Sequence, residues 1–262
     1  MGMKQTMTPE TICAKSRPLT IFLARHGQSE SNREERISGQ ADPTLTEKGH
    51  RQAQRLATAL RSIPLTKILT STLRRSIETA RPTAESQEMS LCALDALKEM
   101  SFGVLEGQLR RDLDHESQRL LDQWTTNKLH FRIPGGEHLV DVQRRVLPVL
   151  SQVLTENPDG TLLVVGHRHT NIVILSALMG WHVEYLADLS IRSKYVYEIQ
   201  CTPTPHIYTI CLTGKGRGTR AEGFFNEDDP MCSSHEHQTW SGKPEYADFH
   251  HETDPRYGNG NA

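Results

Sequence analysis

Two short apolar runs, Leu19–Ala24 and Leu162–Gly166, each stop just before or beside a histidine. Such a run is too continuous for a strand with one wet face and too short for a helix. It reads as a strand buried on both sides. Strands of that kind need covering helices, and the chain supplies them. After Thr46, a candidate N-cap, Ala53, Leu56, Ala57 and Leu60 recur at i, i+3, i+4 and i+7. Residues 137–155 carry Leu139, Val142, Val146, Val149, Leu150 and Val153 on one face, with Pro148 as a candidate kink. Ile68–Thr70 reads as a third short strand, followed by a helix from Leu73 towards Ser86 with Ser71 as cap and Pro82 inside. Leu91–Leu97 is ambiguous, residues 110–124 and 172–179 read as helices, and Tyr195–Gln200 and His206–Leu212 as late strands. Alternation at this spacing predicts an α/β fold, a three-layer α/β/α sandwich with a mostly parallel central sheet.

In an open α/β sheet, ligands bind beyond the carboxyl ends of the strands. His26 follows the first run and His167 the second, so two strand ends can deliver both imidazoles to one site. Arg25 precedes His26, and Arg74-Arg75 follows the third strand. Guanidinium groups and imidazoles converging on one edge suit a phosphoryl group, whose oxygens accept forked hydrogen bonds. The 30 Lys and Arg against 32 Asp and Glu leave a net charge of −2, which excludes a strongly basic nucleic-acid binder. No apolar stretch approaches the ~18 residues of a membrane span. The polar N-terminus lacks a signal-peptide core, so a cytoplasmic protein is expected. Five widely spread cysteines without a C-x-x-C read as reduced thiols.

Several segments carry a family likeness. Arg25-His26-Gly27-Gln28-Ser29-Glu30-Ser31-Asn32 resembles the R-H-G-x-[ST]-x-x-N signature of the histidine phosphatase superfamily, which includes phosphoglycerate mutases. Asp42–Gly49 with Gln52-Ala53, Thr70–Ala80, Glu99–Gly107, Pro134–Glu137 and Val164–His167 resemble its further segments, in order. One short motif alone has a high false-positive rate; six in sequence at compatible spacing do not. The resemblance implies the phosphoglycerate mutase-like fold, catalytic roles for His26, Glu99 and His167, and phosphate binding by Arg25, Asn32 and Arg75. Ser29, Ser38 and Arg168 are candidate substrate contacts. The chain departs from the family after the second histidine, where Arg168-His169 stands in place of the usual Gly.

The chemistry implied is attack by neutral His26 on phosphorus, giving a phosphohistidine. Neighbouring cations lower the His26 pKa, and Glu99 acts as acid and then base, which asks for a raised carboxyl pKa. No metal or cofactor is expected, and the partner is a small phosphorylated metabolite rather than nucleic acid or membrane. The leading expectation is a metal-independent phosphomonoesterase. The alternatives are a 2,3-bisphosphoglycerate-dependent phosphoglycerate mutase and a phospho-ligand binding module without turnover. Met100-Ser101-Phe102 and the Glu106-Gly107 ending replace the E-R-H-Y-G stretch of similar mutases, which favours hydrolysis. Basic residues between Arg110 and Arg132 read equally as a cap over an anionic substrate tail or as a solvated face.

Residues 1–17 are expected to form a flexible N-terminal segment and 18–213 the histidine phosphatase catalytic domain. Residues 214–262 contain no Leu, Ile or Val, seven Gly, and nine acidic against five basic residues. Such a stretch buries too little apolar surface to offset its ordering entropy, so a disordered or loosely docked tail is expected, with Phe224-Phe225, Trp240, Tyr246 and Phe249 able to dock locally. Its Cys232, His235, His237 and His250-His251 have poor spacing for a zinc site.

Overall fold

Along the first apolar run, alternate side chains enter different cores. Ile21 and Leu23 join the larger apolar cluster, whereas Phe22 and Ala24 join a second one on the opposite face of the sheet. Leu162 and Val164 against Leu163 and Val165 divide in the same way. A sheet apolar on both faces needs two covering layers, and this computed structural model, which describes residues 19–213 and 216–225, has both.

The strands are β1 (Leu19–Arg25), β2 (Lys67–Thr70), β3 (Leu91–Ala93), β4 (Thr161–Gly166), β5 (Tyr195–Cys201), β6 (His206–Cys211) and β7 (Thr219–Glu222). They lie in one sheet of order β3-β2-β4-β1-β5-β6-β7. The β3-β2-β4-β1 half is parallel, and β5, β6 and β7 each run antiparallel to the strand before them in that order. The helices are α1 (Glu30–Glu34), α2 (Glu47–Leu60), α3 (Arg74–Ser86), α4 (His115–Thr126), α5 (Leu139–Glu156), α6 (Arg168–Met179) and α7 (Val183–Leu186). Leu56 and Leu60 of α2 and Ala80 and Ala84 of α3 close one face. On the other face lie Leu121 and Trp124 of α4, Val142, Val146 and Leu150 of α5, and Ile172 to Leu175 of α6. His169 through Leu178 are all buried, so α6 is enclosed nearly all round rather than amphipathic.

Register decides where the site falls. Arg25 pairs with Gly166, and Ala24 and Thr70 both pair with Val165. Strands β1, β4 and β2 therefore end level. Antiparallel β5 begins at the same edge, where Val196 pairs with Ala24.

Local chemistry explains most departures from the sequence expectations. The helix expected from Arg110 begins at His115, because Asp114 accepts a hydrogen bond from Ser117 N and caps it there; residues 110–112 form a 3-10 turn. Leu91–Leu97 divides into β3 and a 3-10 turn at Asp95–Leu97. Ser71 does not cap α3, since Leu73 occupies that position. Past residue 213, β7 pairs with β6, and Phe224 stacks on Tyr197 while Tyr197 Oη donates to Phe225 O. The remaining expectations for 1–17 and the tail, including its His and Cys cluster, lie outside the described residues. Cys92 is a free thiol, but Cys211 is disulfide-bonded, against the expectation of five reduced cysteines.

Candidate active site

The level strand ends bring His26 and His167 together, with ring centroids 5.0 Å apart. His26 Nδ1 lies 2.7 Å from Gly27 O. A carbonyl only accepts, so Nδ1 carries the proton and Nε2 holds the lone pair. Arg75 Nε donates to that Nε2 at 3.3 Å. Burial first, then Arg75, His167 and Arg25, holds the His26 pKa well below its ordinary value. Burial and the same two arginines do likewise for His167, against the pull of Glu99. Both imidazoles are therefore neutral at neutral pH. His167 Nε2 sits 2.7 Å from Ser71 Oγ, while its buried Nδ1 has no hydrogen-bond partner among the described residues.

Arg75 is 1% exposed, and backbone carbonyls hold it in place. Its Nη1 donates to Ala41 O at 2.6 Å and its Nη2 to Gly39 O at 2.8 Å and Ser38 O at 3.3 Å. Burial lowers its pKa to about 10, so the guanidinium remains charged. The loop that supplies those carbonyls is itself fixed by Glu106, whose carboxylate accepts from Gln40 N, Ala41 N, Ser101 Oγ and Phe102 N. Arg25 reaches the segment before β5, where Nη1 donates to Ile191 O at 2.9 Å.

Glu99 is buried beside the first turn of α6. Its Oε1 accepts from Met100 N at 2.8 Å and His169 N at 3.2 Å. The expectation of a raised carboxyl pKa is not met. Burial, the largest influence, pushes it up, but His169, His167 and the Met100 N–H together hold it well below the ordinary value. A carboxylate at a helix N-terminus that accepts backbone N–H groups is stabilised as the anion. Arg145 locks the segment: Nη2 donates to Glu99 O, Nη1 to Ala96 O, and Nε to Glu137 Oε1, while Glu137 Oε2 accepts from Ser101 N. Glu137, at the end of the Pro134–Glu137 turn, thus holds the irregular segment that carries Glu99.

The weaker candidates divide by contact. Asn32 lines the cavity in front of His26. Ser29 is fully buried as the N-cap of α1, accepting from Asn32 N while its own N–H donates to Asn32 Oδ1. Ser38 turns its carbonyl to Arg75. Arg168 donates to Leu189 O and Asp188 O, so it braces the segment after α7. The basic residues of 110–132 do not line the cavity; Arg132 pairs with Asp141, and Lys128 with Asp188.

Sequence reasoning read Ser71 only as a cap and His169 only as a departure from the family pattern, and it passed over the Arg145–Glu137 clamp; His169 is a buried ring set edge-on to Phe102 and Trp124. Only Ser71 and Glu137, which fall inside recognisable segments, carried a signal. It also passed over the cavity itself. This opening of about 730 Å³ is lined by Arg25, His26 and Asn32, by one face of α2, and by residues 190–194.

Paired imidazoles and fixed guanidiniums at the carboxyl edge of such a sheet define an α/β protein of the phosphoryl-handling class. The chain belongs to the histidine phosphatase superfamily, branch 1, whose profile matches residues 21–206. It is 33% identical to the probable phosphoglycerate mutase GpmB of Cronobacter sakazakii over 71% of this chain and 87% of that protein. Among solved structures it resembles the alpha-ribazole phosphatase of Shigella flexneri, at 25% identity and a TM-score of 0.67, covering 76% of this chain and 98% of that one. The mycobacterial glucosyl-3-phosphoglycerate phosphatase, at 23% identity and a TM-score of 0.65 over 73% and 97%, shares the fold.

Proposed function

We propose that the chain is a metal-independent phosphomonoesterase working through a phosphohistidine on His26. The observation that carries this reading is the 5.0 Å pairing of His26 with His167, with Arg75 donating to the His26 Nε2 lone pair. In the reaction, Nε2 of His26 attacks phosphorus, the N–P bond forms, and the ester P–O bond breaks. Arg25, Arg75 and Asn32 take the equatorial oxygens. If Ser71 Oγ–H donates to His167 Nε2, the proton on His167 Nδ1 is free to bind a further oxygen. Because Glu99 is ionised in the empty site, the leaving-group proton enters on the phosphoryl group of a monoanionic ester. It passes to Glu99 as the dianion forms, and from Glu99 to the departing alkoxide. Glu99 then deprotonates the water that hydrolyses the phosphohistidine.

The test is rapid acid-free quenching after mixing with a radiolabelled phosphomonoester. A base-stable, acid-labile label is expected on the wild-type protein and none on His26→Ala, with vanadate inhibiting and EDTA without effect. Strict Mg2+ dependence, or label retained in His26→Ala, would overturn the reading. A mutase is the second reading, favoured by the name of the GpmB relative. With 3-phosphoglycerate and a trace of bisphosphoglycerate, interconversion with little free phosphate would select it.

A further inference from the structure

The cavity that His26 borders, which His167, Arg75 and Glu99 do not line, carries a charge pattern that phosphoryl transfer alone leaves unused. The cavity is lined by Lys48, Arg51 and Arg55 from α2 and by Arg192 and Lys194 from the segment before β5, besides Arg25, and no carboxylate among the described residues lines it. The chain as a whole bears a net charge of −2, so this concentration is local.

The backbone explains why these side chains border His26. Gly27 and Gly49 touch: a Cβ on Gly27 would meet Gly49 O at 2.6 Å, and one on Gly49 would meet Gln28 O at 2.2 Å. Gln52 Oε1 also accepts from Gln28 N. These contacts press the first turns of α2 against the nucleophile loop. Positions 48, 51/52 and 55 then share the helix face beside it. The second wall arrives by topology. Antiparallel β5 starts where β1 ends, and Leu212 N donates to Lys194 O, so residues 190–194 and 212–213 meet at that edge.

Charge balance then identifies the ligand. A phosphomonoester brings at most two negative charges to the transferring group, which Arg25 and Arg75 match. Five further cations line the walls: Arg192 is already partnered, Arg51 has an exposed partner in Glu47 at 3.7 Å, and Lys194 lies 4.8 Å over the Tyr195 ring. Like charges gathered on the rim of a concave cleft focus a positive potential there, although water screens the exposed α2 side chains. The volume lies in the range that holds a whole small metabolite rather than a lone phosphate.

We infer that the α2 face and residues 192–194 form a second anion subsite, and that the substrate is a small polyanion, a phosphomonoester bearing at least one further phosphate. This rests on the phosphomonoesterase reading for which phosphate is transferred. The subsite itself is read from the cavity walls. The remote phosphate is bound and not cleaved, and its charge draws the ester into register with His26.

Propane-1,3-diol monophosphate and propane-1,3-diol bisphosphate present the same reacting ester with and without a second anion. The wild-type protein is expected to favour the bisphosphate in kcat/KM by about tenfold or more at low salt, with the preference shrinking as salt is added. In the double variant Lys48→Ala/Arg55→Ala the ratio is expected to collapse towards the statistical factor of about two for two equivalent esters. The control Arg81→Ala, at an exposed position of α3 outside the cavity, should keep it. A wild-type ratio near the statistical value, or a ratio the double variant leaves intact, would overturn the subsite. If neither ester is hydrolysed and no phosphohistidine forms, the phosphatase reading fails. Calorimetry with inorganic tripolyphosphate against orthophosphate then tests the cleft alone. Tighter tripolyphosphate binding lost in the double variant supports it, and equal binding overturns it.

Discussion

Glu99 and His26 carry opposite burdens at the scale of single residues. Burial and neighbouring guanidiniums keep His26 neutral, whereas backbone N–H groups and buried imidazoles keep Glu99 ionised. On the mechanism proposed above, the free protein therefore holds a ready nucleophile but no proton for the leaving group. For an alkyl phosphate, kcat/KM is expected to stay level as pH falls through 6.5, because the depressed His26 pKa lies further down. It should decline roughly tenfold per unit once the monoanion, with a second pKa of about 6, is lost. A profile flat from pH 6 to 8 would show that the proton is not delivered by substrate. The identities of His26, His167, Arg75 and Glu99 were legible because each sits inside a recognisable segment. The protonation state of Glu99 was not, since it depends on where His169 and the start of α6 come to rest. Nothing local to Glu99 in the chain announces that placement.

Elements were legible to the extent that local chemistry fixes them. Thr46 accepts from Gly49 N as expected of an N-cap, and the apolar face of α2 is the one its periodicity defines. β7 was not, because Thr219–Glu222 has no strand pattern and owes its place to pairing with β6. The abutment of Gly27 on Gly49 is equally invisible, being a contact between elements. It has a measurable signature. Alanine is worth about 1 kcal/mol over glycine inside an exposed helix. Gly49→Ala is nevertheless expected to destabilise the protein by about 1–3 kcal/mol, because the new Cβ strikes backbone rather than a yielding side chain. Chemical denaturation reads this directly, and unchanged or increased stability would show that α2 slides freely over the nucleophile loop. Activity should fall with it, since α2 and His26 are held through that contact.

Among the described residues of the molecule three imidazoles are buried, His26, His167 and His169, all with pKa values lowered first by burial. The unfolded chain binds their protons near the ordinary value of 6.5, and the folded chain only below it. Below that pH the unfolded state binds more protons, so stability is full above 6.5 and drains as pH falls from there towards the folded values. Glu99, also depressed, adds loss of the same sign below its ordinary 4.5. A melting temperature that falls between pH 7 and pH 5 is the expected outcome; one that holds constant or rises would mean that the imidazoles are charged in the fold.

The sheet changes direction at β1, which is parallel to β4 on one side and antiparallel to β5 on the other. That seam separates two inheritances. One flank is a fixed reactor, its parts bolted together by carbonyls and carboxylates. The other, with the exposed rim of α2, is a faceplate. On the subsite inferred above, redrawing that faceplate would change which cargo is admitted and leave the reactor in place.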